Sequence, residues 1–356
     1  MGWIELRSSG MGVLRRARSA AGGAVVVLTY HRVLDAPLDP QRLAVPVARF
    51  DEHVAAVSAR YDLMTAGELF RRMAEGIELP RRGLVITLDD GYPDALTTAL
   101  PILKAHDAPA TVFVSSGFMD TGREFWWDEL ERLVLTAREL PASLDLATAG
   151  VAFRRDLAPE TRELSADDVA GFTGWDFTLP VAHPRQRLYL DLAAVVEPLS
   201  GAGRERALVA LRQQTGAAAR ARPEKRALTA AELPALEAGG HVEIGAHTVN
   251  HVRLAGLPLA EQRDEIAGSK VALERACGHT VNSFSYPYGT KGSFTRQTQH
   301  LVREAGFLGA VTTQLGAGLP WGSASRTTDR FAVPRMATAG ISAAELIETI
   351  DKRLGL

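Results

Sequence analysis

The tightest constraint on this chain is its alternation of short apolar runs with amphipathic helical stretches. Residues 24–30 (AVVVLTY), 84–88 (LVITL) and 110–114 (ATVFV) are continuous apolar runs, the pattern of strands buried on both faces of a parallel sheet. Helix signals lie between them. Pro46 opens a stretch with Phe50, Val54 and Val57 on one face, Thr65-Ala-Gly-Glu68 reads as a capping box, and 93–105 reads as a helix. The rhythm resumes with a capped helix from Thr229, a strand at 242–244 and a long helix at 259–277. A strand at 281–285, a helix at 294–305, a strand at 308–312 and a final capped helix from Ser342 complete it. Repeated strand–helix units predict an α/β fold whose parallel sheet can close into a barrel, with the active site at the C-terminal ends of the strands.

Residues 120–228 break this rhythm. They are rich in Ala, Leu and Arg, with helical spacing at 127–137 and 202–214. They read as a mostly helical insertion: a lid, a docking surface or an oligomer contact. The expected organisation is a basic N-terminal segment (1–23), a first part of the barrel (24–119), the insertion (120–228) and a second part of the barrel (229–356).

Composition narrows the function. A net charge of -2 over 356 residues provides no basic field for nucleic acid. No stretch approaches the roughly 20 apolar residues of a membrane span. Arg7, Arg15, Arg16 and Arg18 make the N-terminus basic, but the only apolar run behind them is the first strand, so a cytoplasmic location is the default expectation. A basic amphipathic stretch at 11–20 that touches membrane is the lesser alternative. Cys277 is the single cysteine, which rules out an internal disulfide; it reads as a buried small residue in an apolar helix.

Two elements carry chemistry. Thr87-Leu-Asp-Asp-Gly91 ends a strand. Adjacent carboxylates raise one another's pKa, and a bound cation resolves the conflict, leaving one Asp for metal and one for proton transfer. Asp-Gly is also a common strand-to-loop turn. In His247-Thr-Val-Asn-His251 the spacing of four puts both imidazoles on one face of a helical turn, within reach of one ion. Thr248 follows His247 where a His-Glu-x-x-His protease would carry Glu. Two His and one carboxylate suit a borderline divalent metal such as zinc. Each element follows a strand, so both project at one barrel mouth.

Taken together, these elements resemble the first two motifs of the polysaccharide deacetylases (carbohydrate esterase family 4, the NodB-homology domain). Phe284-Ser-Tyr-Pro-Tyr-Gly289 resembles the third motif, and Leu28-Thr-Tyr-His-Arg-Val33 the opening strand. The resemblance covers roughly residues 24–120 and 229–340 and implies a distorted (β/α) barrel that removes acetyl groups from N-acetylated sugars with a divalent metal. It implies Asp89 as general base, Asp90, His247 and His251 as metal ligands, and the backbone N–H of Tyr288 as oxyanion donor. Two positions depart from the family pattern. The family usually carries Arg two residues before the Pro, to orient the base; here Ser285 stands there, and Arg335 in Phe331-Ala-Val-Pro-Arg335 is the substitute expected from motif position. The late His that serves the family as general acid is missing: none follows His300, which reads as a helix surface residue. His31, at the end of the first strand, is a candidate pocket residue or a satisfied core histidine. Trp127, in Phe125-Trp-Trp-Asp128, is a candidate sugar platform or ordinary packing.

The resulting expectation is a metal-dependent hydrolase that removes an acetyl or formyl group from an amino sugar in glycan or cell-surface polysaccharide biosynthesis. The sugar would be nucleotide-linked, lipid-linked or oligomeric. The rivals are a catalytically silent carbohydrate-binding or scaffold protein on the same fold, and a hydrolase of a non-sugar amide.

Overall fold

A computed structural model describes residues 23–313, 323–325 and 328–356. The basic N-terminal segment, with its stretch at 11–20, lies outside the described residues apart from Gly23. Strands β1 (Val25–Tyr30), β2 (Arg32–Val33), β3 (Ala44–Val45), β4 (Asp62–Met64), β5 (Gly83–Leu88), β6 (Ala110–Val114), β7 (Ser143–Asp145) and β8 (Arg154–Asp156) come from the first half of the chain. Strands β9 (Val242–Ala246), β10 (Ser283–Ser285), β11 (Gly309–Thr312), β12 (Ser323–Ala324), β13 (Val333–Pro334) and β14 (Met336–Ala337) follow.

The main sheet runs β12-β1-β5-β6-β9-β10-β11-β13, and every pairing in it is parallel except β1 with β12. Its two ends are bridged by one short segment. β13 pairs with β11, and two residues later β14 pairs with β1, so residues 333–337 close the barrel with Arg335 between the two pairings. This is the expected α/β barrel.

Side chains along a strand alternate between the two faces, and both faces are buried here. Val26, Leu28, Leu84 and Ile86 face the outer helices, packing with Phe50 and Val54 of helix Val47–Ser58 and Leu103 of helix Leu100–Ala105. Val25, Val27, Val85, Phe113 and Val333 belong to a separate cluster with Phe70 of helix Ala66–Glu75. On the same inward parity, higher in the strands, stand Thr29, His31, Thr87 and Asp89. The barrel interior thus changes from apolar to polar toward the C-terminal ends of its strands.

Thr65 and Cys277 differ from expectation. Thr65 does accept from the Glu68 N–H, but the Glu68 carboxylate is turned away to Arg71 and Arg72, so the cap is one-sided. Cys277 is only half-buried, at the C-terminal end of helix Leu259–Cys277 beside Glu237 and His279.

Between β6 and β9 the chain builds helices Trp126–Leu130, Pro184–Val196 and Gly201–Thr215 and the β7–β8 hairpin around an apolar cluster of its own, including Phe125, Leu133, Leu188 and Leu211. A buried ion-pair network ties this region to the chain returning to the barrel. Lys225 pairs with Asp128 at 2.7 Å and Glu131 at 3.1 Å, and Arg222 pairs with Glu131 at 2.6 Å and Glu124 at 2.8 Å. Among the described residues no helix is long and apolar enough to cross a membrane.

Candidate active site

β5 delivers Asp89 and Asp90 to the barrel mouth, and the turn beyond it is tight. Asp90 has φ 73° and Gly91 φ 83°. A Cβ at Gly91 would stand 2.9 Å from the Val114 side chain, so only glycine fits there. β9 delivers His247, and β10 ends at Ser285, two residues before Pro287.

The two carboxylates have opposite environments. Arg335 grips Asp89 with both ends of its fork, Nη1 to Oδ1 at 2.7 Å and Nη2 to Oδ2 at 2.5 Å. The same guanidinium donates to the Thr87 hydroxyl and the Ser285 hydroxyl, both at 3.0 Å, and Ser285 Oγ lies 3.3 Å from Asp89 Oδ2. Burial works against the charge on Asp89, but Arg335, with His247 behind it, holds the carboxyl well below the usual range. Asp90 is 1% exposed, and burial together with the neighbouring Asp89 pushes its carboxyl well above the usual range.

His247 donates through Nδ1 to the Ser285 carbonyl at 2.7 Å; the carbonyl can only accept, so Nε2 is the free nitrogen. His247 Nε2 lies 3.7 Å and His251 Nε2 3.3 Å from Asp90 Oδ1. Burial lowers both imidazoles, which favours the neutral, ligating form. The residues 247–251 do not form the helical turn that the spacing suggests. Thr248 has φ 63° and His251 φ 50°, so a loop with two left-handed residues, not a helix face, brings the histidines together.

Asp90, His247 and His251 each place a donor atom within 4.8 Å of the others, all three buried. Asp90 Oδ1 has no hydrogen-bond donor among the described residues, although it is buried next to another carboxylate. An unrelieved buried anion is costly. One hard oxygen and two neutral imidazoles are a donor set for a divalent metal ion, and such an ion supplies the charge that Asp90 lacks. The triplet fits a divalent metal.

The family model for polysaccharide deacetylases matches residues 76–139 and 213–310. The chain belongs to the polysaccharide deacetylase family. Among curated relatives, YxkH of Bacillus subtilis (strain 168), which carries a polysaccharide deacetylase name, is 30% identical over 95 residues; the match spans 27% of this chain and 31% of that protein's length. The fold is that of the Streptococcus pyogenes deacetylase PplD solved with acetate (TM-score 0.55, 18% identity, 92% of this chain and 99% of that one). It is also that of a de-N-acetylase from Aggregatibacter actinomycetemcomitans (TM-score 0.54, 15% identity, 92% and 99%).

Against the deacetylase motifs, the remaining expected residues fall as follows. His31, Trp127, Tyr288 and Arg335 line one cavity with the triplet and Asp89. Burial lowers His31 to about 4, against the pull of Asp89, so its imidazole is neutral. Trp127 is 6% exposed; one face stacks on Phe125 at 4.9 Å, its edge meets His251 at 4.9 Å, and its Nε1 donates to the Tyr92 hydroxyl at 2.8 Å. Tyr288 has φ 62°, and its ring lies 5.0 Å from that of His251. His300 is largely exposed and pairs with Glu304, outside the cavity. Sequence reasoning missed Gln41 and Leu43, which reach the cavity from the loop after β2, and Thr313, which follows β11. No motif marks Gln41 or Leu43; Thr313 is legible only once β11 is placed, because its hydroxyl donates to the Tyr288 carbonyl at 2.6 Å.

Proposed function

We propose that the chain is a metal-dependent hydrolase that removes an N-acyl group, acetyl or formyl, from an amino sugar. The observation that carries this reading is the pairing of a buried Asp90–His247–His251 triplet with a second carboxylate, Asp89, that is kept ionised by Arg335 and is not needed to complete the triplet. A protein that only bound a carbohydrate would have no use for that arrangement.

Asp90, His247 and His251 hold the ion, with zinc the best match to the donor set. Bound there, it polarises the acyl carbonyl and lowers the pKa of the attacking water. Asp89 takes a proton from the water as general base, and two charge-assisted hydrogen bonds from Arg335 fix its position. The backbone N–H of Tyr288, carried on its left-handed turn, donates to the oxygen on which charge develops. His31 lies neutral in the same cavity, so the proton for the departing amine is the one that Asp89 has taken from the water. Trp127 walls the cavity and supports His251 edge-on.

The test is acyl release. Protein stripped with chelator and then loaded with zinc is incubated with free, nucleotide-linked, lipid-linked and oligomeric N-acetyl and N-formyl amino sugars and with a sugar-free amide; acetate, formate and new amine are assayed. Release from a sugar that disappears with chelator and returns with metal is the expected result. Release from the sugar-free amide alone would assign a non-sugar substrate. No release from any member, with metal bound, would favour a carbohydrate-binding role.

A further inference from the structure

The loop that carries both histidines is an unfavourable piece of backbone. Thr248 and His251 are non-glycine residues at positive φ, three positions apart. Such residues persist only where the surroundings over-determine them. Hydrogen bonds to the loop's backbone groups hold it in place.

The barrel holds most of it. The N–H of His247 donates to the Val114 carbonyl at 3.0 Å. Glu265, on helix Leu259–Cys277, accepts from the N–H groups of Val249 at 3.0 Å and Asn250 at 2.8 Å. The carbonyl of His247 accepts from Ser115 Oγ at 3.0 Å, that of Thr248 from Ser116 N–H at 3.1 Å, and that of Val249 from Gly117 N–H at 2.8 Å. The next two carbonyls are served from the insertion. Arg204, in helix Gly201–Thr215, donates through Nη1 to the carbonyls of Asn250 at 3.2 Å and His251 at 3.0 Å. Its Nη2 is tied to the Glu197 carbonyl at 2.7 Å, and the residue is 3% exposed. The guanidinium also lies 5.7 Å over the ring of Trp126, which lines the cavity.

We propose that Arg204 is a positioning residue for the metal site. By holding the main-chain oxygens of Asn250 and His251, it fixes the left-handed turn at His251 and so makes the insertion part of the scaffold of the ligand set. The proposal rests on the reading of Asp90, His247 and His251 as ligands. Only a guanidinium suits the position: its planar fork reaches two carbonyls on the loop and a third on the insertion, which a lysine's point charge does not.

The experiment measures zinc affinity by competition with a chromophoric chelator, beside the thermal midpoint of the metal-free protein. It compares wild type, Arg204→Met, Arg204→Lys and His247→Ala. Loss of an outer-shell partner typically weakens metal binding about 10- to 100-fold, and that loss is expected for Arg204→Met and, to a lesser degree, for Arg204→Lys. A purely structural role would lower the metal-free midpoint and leave zinc affinity within about threefold of wild type; that result would overturn the proposal. If Arg204→Met does not fold, Arg204→Lys alone decides, by the same criterion. Failure of the ligand reading looks different: wild type itself would bind no zinc that His247→Ala loses.

Discussion

Replacing Asp89 by Asn is expected to lower kcat for acyl release by about a hundred- to ten-thousandfold, the usual contribution of a positioned general base. Replacing Arg335 by Met is expected to lower it by about a hundredfold, because the buried Asp89 then loses both charge-assisted contacts and its carboxyl rises toward the protonated state. The double variant is expected to be hardly worse than Asp89→Asn alone, since two residues that act as one unit are strongly non-additive. KM should move little in all three, because none of these groups is assigned to binding the sugar. Arg335→Lys should recover little, since an ammonium cannot bridge both carboxylate oxygens and the Thr87 and Ser285 hydroxyls together. The informative rescue is relocation: Ser285→Arg in an Arg335→Ser background returns the guanidinium to the family's usual motif position and should restore part of kcat. Steady-state kinetics on the substrate found by acyl release check all of this. An Arg335→Met enzyme within threefold of wild type would show that Arg335 does not prepare the base.

The second large effect concerns stability. Arg185 is wholly buried in the insertion and has main-chain oxygens as its partners. Its Nη1 donates to the carbonyls of Val134 at 2.6 Å and Ala137 at 3.0 Å, its Nη2 to that of Arg162 at 2.7 Å, and its Nε to that of Thr161. These carbonyls end two helical stretches, where the helix dipole is negative. Burial lowers the guanidinium only to about 10, so it stays charged at neutral pH. Arg185→Leu takes the donor away from the carbonyls of Val134, Ala137 and Thr161, while that of Arg162 keeps the Leu140 N–H at 2.8 Å, at an expected cost of about 3–5 kcal/mol. Urea unfolding followed by tryptophan fluorescence reads it, because Trp126, Trp127 and Trp175 all belong to the insertion's apolar cluster. A change under about 1 kcal/mol would mean that water serves those carbonyls.

β1, β5 and β6 were legible because each is a continuous apolar run buried on both faces, and the long helix at 259–277 because its periodicity is unbroken; the short β4, β12, β13 and β14 carry no such run and were not. The carboxylate pair was legible only together with the histidine pair, because Asp-Gly at a strand end is also an ordinary turn. The histidine pair was legible for a mistaken reason: a helical turn was expected, and a loop with two left-handed residues brings the rings together. Arg335 was reached from its motif position, but its grip on Asp89 depends on residues 333–337 bridging β11 and β1, which no local pattern encodes. Long-range partners were not legible. Lys225 and Asp128 stand 97 residues apart and Arg204 and His251 47 apart, and a single arginine in an arginine-rich helix carries no sign of what it faces. The π-helical turns at Ala95–Ala99 and Glu131–Leu135 also escaped, because one extra residue per turn hardly alters an apolar periodicity.

The most direct measurement of the central claim is anomalous X-ray diffraction at the zinc edge from crystals grown with zinc. One peak is predicted, about 2.0–2.2 Å from a carboxylate oxygen of Asp90 and from Nε2 of His247 and His251, with Asp89 still held by Arg335 and outside the coordination sphere. A peak only at Glu237, Cys277 and His279, or an ion ligated by Asp89 with Arg335 displaced, would contradict it.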